Sequence, residues 1–395
     1  MSGDKKSPLV WVIAGEPSGD LIGARLMVAL RERTGGDIQI AGIGGEAMGK
    51  EGLKSLFSVS DIAVMGLIEI IPRLPLIRKR VRETVSSIIG DAPDVVVSID
   101  APGFNYEIWK RLRTKRIPLV HYVAPTVWAW RPDRAKKFAA EINHLMALLP
   151  FEPPFFEKEG LNTTFVGHPV IEAGFEVGEG RAFRFANQID METKIVAVLA
   201  GSRRSEVLKL LSVFKKASED IISCHPDTVF VFPTISFLSN LIQRAVESWP
   251  GRTIIVDRSG SKHDVFAAAD VAMAASGTVS LELARAQVPH VIAYRMNSLT
   301  VSLAKKLHGL DQKFVNLINI LLDREVVPEF IQAKCRSDLI AAEVIKLMEG
   351  GAALELQRLG VIEALNALRP PNGSPSGTAA DVVLSVLHAY RLSER

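Results

Sequence analysis

Cysteine and long apolar runs are scarce in this chain of 395 residues. The two cysteines, Cys224 and Cys335, lie far apart and outside any CxxC or Cys/His cluster, so neither a disulfide framework nor a zinc site is indicated. No stretch approaches the roughly 20 apolar residues of a spanning helix, and the polar, basic start is unlike a secretory signal. We therefore expect a cytoplasmic protein whose membrane contacts are peripheral.

An excess of charge of one sign is also missing, because 47 basic residues are matched by 44 acidic ones. This balance predicts no nucleic-acid partner. No His, Asp or Glu cluster has the spacing of metal ligands, and no DxD-like acidic pair follows a predicted strand. We expect neither a metal nor another cofactor.

The chain does contain a regular alternation of strand-like and helix-like patterns, which is typical of parallel sheets built from βαβ units. Its length suffices for two cores. We predict two Rossmann-like, doubly wound α/β domains that face a cleft. The predicted strands are Leu9–Ala14, Ile38–Ile43, Val95–Ile99, Leu119–Val123, Leu145–Leu149 and Thr164–Val166, then Ile195–Leu199, Val229–Phe232, Thr253–Val256, Val271–Ala274 and His290–Tyr294.

The domain boundaries follow from the places where this alternation breaks down. Residues 1–170 form the first predicted domain and 193–360 the second. Between them we place a linker at 171–192, where Gly, Pro and charged residues interrupt the pattern. Residues 361–395 are predicted as a helical tail, whose last helix follows a turn-rich stretch at 370–377.

Two loops of the second domain follow strands and open helices, where exposed N–H groups and the helix dipole favour an anion. Their residues are Gly201, Ser202 and Arg203 in one loop and Ser276, Gly277 and Thr278 in the other. Together they predict a nucleoside diphosphate site, with Glu282 placed to reach ribose hydroxyls. The alternatives are solvated surface arginines for the first loop and an ordinary helix capped by Ser276 for the second.

The loops of the first domain carry carboxylates instead. Glu16 and Asp20 would repel a pyrophosphate but suit sugar hydroxyls, although Asp20 could also cap the following helix. Asp100 ends an apolar strand, so it should project from a carboxyl edge as a partly desolvated general base. The alternative is that Asp100 closes a turn through Asn105 or caps a helix.

Aromatic residues gather in one loop after a predicted strand, at 121–131. Trp128 and Trp130, together with Arg131, could stack on a sugar or an acyl chain. Large aromatics next to proline more often serve packing, which is the alternative for this loop.

Ten segments, in the same order along the chain, resemble segments of the lipid-A-disaccharide synthases. They are Ala14–Asp20, Val64–Gly66, Ser98–Asn105, Val127–Arg131, Leu149–Glu152, Val166–Pro169, Gly201–Val207, Ala275–Thr278, Tyr294–Met296 and Pro328–Gln332. The resemblance implies an inverting glycosyltransferase with two Rossmann-like domains, the B-type fold. It would join UDP-2,3-diacylglucosamine to 2,3-diacylglucosamine 1-phosphate, with release of UDP, in lipid A biosynthesis.

The resemblance also implies roles for single residues. Asp100 would assist the acceptor hydroxyl, with Glu16 beside it, and Arg203 would hold the donor diphosphate. Further residues implied along the nucleotide side are Glu282, Asn319, Glu329 and Gln332. Glu16 and Ser18 match the acceptor-side loop, where we also place Asp20, Trp128, Trp130 and Arg131.

The lipid substrates that the resemblance implies suggest a function for one further segment, residues 62–82. Apolar residues there are followed at once by basic ones, a pattern typical of peripheral proteins on anionic lipid. The membrane-facing residues we predict are Met65, Leu67, Ile68, Arg78, Lys79, Arg80 and Arg82, and the expected partner is the cytoplasmic face of the inner membrane. The alternative is a core helix with a solvated basic face.

Two positions depart from the family pattern, because Ala200 and Ile318 stand where proline is usual. They put loop geometry in doubt but not the reaction class. Two other functions stay open, a UDP-N-acetylglucosamine 2-epimerase and a sugar-nucleotide-binding protein without catalysis. The oligomeric state is open as well, with a homodimer as one alternative.

Overall fold

The computed structural model describes residues 7–62, 67–128, 133–257, 262–295 and 313–393. The chain forms two compact units, one of Met1–Pro169 with Leu368–Arg395 and one of Val170–Ala367. Within the described ranges, no helix has the length and apolar character needed to cross a membrane.

The first unit is built around a parallel sheet whose six described strands follow the order β2-β1-β3-β4-β5-β6. In chain order its elements are β1 (Leu9–Ala14), α1 (Pro17–Thr34), β2 (Gln39–Ile43), α2 (Glu46–Lys50), α3 (Leu67–Asp91), β3 (Val95–Ile99), α4 (Pro102–Leu112), β4 (Leu119–Tyr122), α5 (Asp133–Ala139), β5 (His144–Ala147), α6 (Pro153–Glu157), β6 (Asn162–Phe165) and, from the end of the chain, α15 (Pro375–Ser393).

The second unit repeats this architecture with the strand order β12-β11-β10-β7-β8-β9. Its elements are α7 (Gly180–Ala186), β7 (Ile195–Leu199), α8 (Arg204–Cys224), β8 (Val229–Pro233), α9 (Ser236–Val246), β9 (Arg252–Val256), α10 (Lys262–Ala268), β10 (Val271–Ala275), α11 (Val279–Arg285), β11 (His290–Tyr294), α12 (Leu317–Leu322), β12 (Glu329–Ile331), α13 (Ser337–Glu349) and α14 (Ala352–Ala367).

Central strands of both sheets are buried on both faces. In β3 and β7 every residue is buried, which explains why these strands read as unbroken apolar runs. The predicted fold class is confirmed, and every predicted strand is present within two residues of its expected ends. Strand β12 was not predicted, because its three residues are all half-buried and carry little periodic signal.

The junctions between the units differ from the sequence expectation. The predicted linker at 171–192 contains α7, which packs against α10 of the second unit. Its buried Arg184 donates hydrogen bonds to the carbonyls of Thr193 and Ala268 and pairs with Asp270. The whole segment is therefore part of the second unit.

The predicted C-terminal tail is divided between the two units. Its first residues complete α14, whereas α15 returns to the first unit and packs along α1. Val383 and Leu387 are fully buried there, in the cluster that contains Leu26 and Leu30 of α1. The last helix thus covers one face of the first sheet.

Candidate active site

Two loops of the first unit meet at the carboxyl edge of its sheet. Strands β1 and β3 are neighbours, and Ala14 is in register with Ile99, so the residues that follow them are adjacent. At Gly15 any side chain would overlap the Cβ atom of Ala101, which is why this position requires glycine. The close approach brings the Glu16 loop against the Asp100 loop, at the edge where open α/β sheets bind ligands.

Asp100 has the properties of a positioned carboxylate. Its backbone is left-handed (φ 50°), as is that of Ala101 (φ 44°), a strained conformation that is frequent at functional sites. Oδ1 accepts a hydrogen bond from the Ala101 N–H (2.9 Å), and among the described residues Oδ2 has no donor. Burial raises the pKa of Asp100. The Asn105 side chain donates to the Asp100 carbonyl (2.7 Å), so the predicted turn exists but leaves the carboxylate accessible.

The remaining polar residues of the first loop have different environments. Glu16 is the N-cap of α1 in extended conformation, without a side-chain capping bond, and Ser18 is exposed in the first turn. Asp20 is buried, and its carboxylate accepts hydrogen bonds from Gly45, Ala47 and Met48. It therefore caps α2 rather than α1, and a contact between Asp20 and an acceptor stays a prediction.

A cavity of about 840 Å³ opens beside these loops in the first unit. Glu16 and the residues 101–104 line one side of it. The other lining residues are those of one face of α3, together with Ile62 and with Glu107 and Arg111 of α4. We call it the first-unit cavity.

The predicted aromatic loop is described only as far as Trp128, and Trp130 and Arg131 lie outside the described residues. Trp128 Nε1 donates to Glu152 Oε1 (3.2 Å), and the indole packs edge-on against Phe151. The structure thus gives Trp128 the packing role, and an acceptor contact stays a prediction. Glu152, which the sequence analysis did not single out, is buried and also accepts from Leu148 and Leu149. Burial raises its pKa to about 7.

The two anion-ready loops of the second unit also meet, because β7 and β10 are neighbouring strands. They line a cavity of about 400 Å³, which we call the second-unit cavity. The predicted residues in its wall are Gly201, Ser202, Ser276, Gly277, Thr278 and Glu282. Ser276 does not cap α11, since the N-cap is Thr278, whose side chain makes no capping bond.

Arg203 is the N-cap of α8 and does not line the second-unit cavity wall. Its side chain is 67% exposed, and Nη1 donates to Glu206 Oε1 (2.9 Å). Glu206 does line the cavity, as does Lys262, which pairs with Glu282. Neither Glu206 nor Lys262 was predicted as a ligand-binding residue. Glu206 lies in the first turn of α8, three positions after Arg203, whereas Lys262 meets Glu282 only through tertiary packing.

Asn319, Glu329 and Gln332 stand apart from the second-unit cavity wall. Asn319 is fully buried: its side-chain oxygen accepts from Val326 and Val327, and its Nδ2 donates to Glu329 Oε1 (2.8 Å). The structure therefore gives Asn319 and Glu329 a role in holding α12 against β12. Gln332 has a left-handed backbone (φ 54°), and its Nε2 is buried without an acceptor in the described part of the chain. A nucleotide contact by these three residues stays a prediction.

The four basic residues predicted to face the membrane do not share one environment. Met65 lies outside the described residues, and only the backbone is described for Leu67 and Ile68, in α3. Arg80 pairs with Asp61 and Glu83 and stacks over the Phe57 ring, so it faces its own unit rather than solvent. Lys79 pairs with Glu83, while Arg78 and Arg82 line the first-unit cavity. These side chains have different environments because neighbours on a helix at consecutive positions point in different directions, and a membrane contact by any of them stays a prediction.

No group of three or more His, Cys, Asp or Glu residues with a metal-binding arrangement occurs among the residues that the structure describes. Each unit has a candidate site of its own. One has a carboxylate beside an amphipathic cavity, and the other has two loops suited to an anion.

Solved structures of known proteins share this fold. A putative UDP-N-acetylglucosamine 2-epimerase from Listeria monocytogenes has a TM-score of 0.67 at 13% identity, with 98% of this chain and 97% of that one covered. The UDP-GlcNAc 2-epimerase from Neisseria meningitidis, bound to UDP-GlcNAc, has a TM-score of 0.64 at 12% identity, with 97% and 100% covered. At this identity the likeness concerns the fold alone.

Sequence comparison is more specific. The pattern of the lipid-A-disaccharide synthetase family matches residues 10–371. A lipid-A-disaccharide synthase of Rhodospirillum centenum is 47% identical over 99% of this chain and 97% of its own length. That of Paramagnetospirillum magneticum is 46% identical over 96% and 97%. The resemblance is confirmed: the chain belongs to the lipid-A-disaccharide synthase family and is a glycosyltransferase.

Proposed function

We propose that the protein transfers the diacylglucosamine unit of UDP-2,3-diacylglucosamine to the 6-hydroxyl of 2,3-diacylglucosamine 1-phosphate. The observation that carries this proposal is the half-buried Asp100 beside the first-unit cavity, which combines apolar walls with arginines. Such a cavity suits a sugar that bears both acyl chains and a phosphate.

In the proposed step, the Asp100 carboxylate takes the proton of the acceptor 6-hydroxyl. That oxygen attacks C1 of the donor sugar, the bond from C1 to the UDP oxygen breaks, and the configuration at C1 inverts. The raised pKa of Asp100 makes its carboxylate a stronger base than one in open water. Glu16, at the wall of the same cavity, would orient the acceptor.

The leaving UDP acquires negative charge as the bond breaks. We propose that the N-terminus of α8 and the loop at 276–278 bind its diphosphate, with Arg203 supplying a charge-assisted contact. Glu282 would contact the ribose, and Gln332, whose buried amide lacks an acceptor in the described residues, is the best placed of the outer residues to gain one from the nucleotide. No metal or other cofactor is part of the proposed step.

The substrates also suggest where the enzyme acts. Their acyl chains stay in a bilayer, so we propose that the enzyme binds the cytoplasmic face of the inner membrane through the apolar start of the segment 62–82. Replacing Leu67 and Ile68 with serine should reduce flotation with anionic vesicles, whereas serine at Leu392, exposed on α15, should not. Equal flotation of all three proteins would contradict the docking proposal, but not the reaction. Assembly as a monomer or a homodimer is not part of either proposal.

A product assay tests the proposed function. Purified enzyme is incubated with both diacylglucosamine substrates, and the products are identified by mass spectrometry. We expect disaccharide 1-phosphate and UDP in equal amounts. Conversion of UDP-N-acetylglucosamine to its 2-epimer would support the epimerase alternative instead, and UDP-sugar binding without turnover would support the binding protein.

A further inference from the structure

One face of α3 forms a wall of the first-unit cavity. Leu74, Ile77, Arg78, Val81 and Arg82 recur at helical spacing and all line it. The basic cluster of this helix is therefore divided, because Arg80 lies on another face and is held by Asp61 (Nε to Oδ2, 2.8 Å). Two of the four basic residues at 78–82, Arg78 and Arg82, therefore line the first-unit cavity.

The guanidinium groups of Arg78 and Arg82 are available to an anion. Neither forms an ion pair with a carboxylate among the described residues, although the Glu107 carboxylate, which also lines the cavity, has its pKa lowered chiefly by Arg111 and also by Arg78. Arg111, the third arginine of the cavity, differs from them because its Nη1 donates to Glu107 Oε2 (2.7 Å). Arg78 and Arg82, one helical turn apart, can therefore act together on one ligand group.

The cavity pairs these cations with an apolar wall. Ile62 and Val81 are buried at it, and Leu74 and Ile77 extend it. An arginine presents its donors in a planar fork that matches phosphate oxygens, and apolar side chains favour hydrocarbon. The ligand that fits both features is an anionic amphiphile, and the cavity places it next to Glu16 and Ala101, beside the proposed base.

We propose that Arg78 and Arg82 bind the 1-phosphate of the acceptor, while the apolar wall receives the part of its acyl chains nearest the sugar. This subsite rests on the proposed function and deepens it. It would explain how the enzyme distinguishes the acceptor, which carries a simple phosphate, from the donor, whose phosphate is esterified to a nucleoside. The arginines then set acceptor specificity without taking part in the proton transfer.

The test compares two acceptors in micelles of a neutral detergent, 2,3-diacylglucosamine 1-phosphate and the same sugar without its phosphate. The variant is Arg78→Gln with Arg82→Gln, because glutamine keeps the helix propensity while removing the charge. Arg113→Gln is the matched control, since Arg113 is an exposed arginine after α4 that does not line the cavity. Thermal unfolding of all proteins checks that each is folded.

We expect the double variant to raise the KM for the phosphorylated acceptor roughly 10- to 100-fold, the range for losing charge-assisted hydrogen bonds. The kcat and the KM for the donor should change little. The preference of the double variant for the phosphorylated over the unphosphorylated acceptor should nearly disappear, whereas Arg113→Gln should keep the preference of the wild type.

Retention of the full phosphate preference in the double variant would overturn the subsite. So would an equal loss in Arg113→Gln, which would indicate a general effect of surface charge. If the double variant instead loses flotation with anionic vesicles but keeps the preference, the arginines bind membrane headgroups and the subsite is wrong. Absence of turnover in the wild type with either acceptor would refute the proposed function itself, and the subsite with it.

Discussion

The two units place residues of opposite charge at the same position of a shared architecture. In each unit the first strand leads through a glycine-containing loop into a long helix whose N-cap is extended and makes no side-chain cap. That N-cap is Glu16 in the first unit and Arg203 in the second. Since the start of a helix attracts anions, Glu16 already supplies a negative group there, whereas Arg203 adds to the attraction.

The cavities differ in size and in the residues that line them. The first-unit cavity is about twice as large as the second, 840 against 400 Å³, and its wall is largely apolar with arginines. The second is lined by glycine and hydroxyl residues at the starts of two helices, by apolar residues from the strand ends, and by Glu206, Lys262 and Glu282. The difference teaches that topology places a ligand at the carboxyl edge of each sheet, while the residues after the strands decide which ligand it is.

The largest expected effect separates catalysis from donor binding. Asp100→Ala should lower turnover by roughly 10²- to 10⁴-fold, the range for a positioned general base. Affinity for UDP, measured by calorimetry, should stay close to that of the wild type, because we propose that the nucleotide binds to the other unit. Near-normal turnover would remove Asp100 from the role of base.

The next effect concerns donor binding rather than the proton transfer. Arg203→Ala should weaken UDP binding roughly 10- to 100-fold, since it removes a charge-assisted contact to the diphosphate. The control is Glu16→Ala, at the equivalent position of the first unit, which should leave UDP affinity unchanged. Equal UDP affinity in Arg203→Ala and wild type would show that the assignment of Arg203 is wrong.

A smaller effect concerns stability of the first unit. Burial raises the pKa of Glu152 to about 7 in the folded chain, above the roughly 4.3 of an exposed glutamate. The stability contributed by the protonated carboxyl is therefore fully present below the unfolded pKa and is lost as the pH rises through about 7. Between pH 5 and 8 the Tm of the wild type should fall relative to that of Glu152→Gln. Parallel Tm curves for the two proteins would contradict this.

The last prediction is that removal of divalent metal ions leaves turnover unchanged. Turnover should persist in excess EDTA, because helix N-termini and Arg203 can neutralise the diphosphate in place of Mg²⁺. Loss of turnover on chelation, with recovery when Mg²⁺ is added, would require a metal in the second-unit cavity and would weaken the contrast between the charges of the two units.

Strands and strand-end loops could be predicted from the sequence because their signals are local. Unbroken β-branched runs identify buried parallel strands, and polar or glycine residues directly after them identify the binding edge. Asp100 was found in this way, and its left-handed backbone agrees with a special role.

Features that depend on distant contacts could not be predicted. Asp20 caps α2 rather than α1 because the chain returns to it after β2, and Arg80 is held by Asp61, nineteen positions earlier. Lys262 meets Glu282, and α15 joins the first unit, only through tertiary packing. Helical spacing separates Arg78 and Arg82 from Arg80, because residues four positions apart share a face, but all three were predicted together as membrane-facing.

The most direct test of the division between the units is hydrogen–deuterium exchange of the full-length protein with and without UDP. We predict that UDP slows exchange at 201–207 and 276–283, the loops and helix starts of the second-unit cavity. Exchange at 15–20 and 100–105 should not change. Protection of the first-unit loops by UDP, without protection of the second, would contradict the assignment of donor and acceptor to the two units.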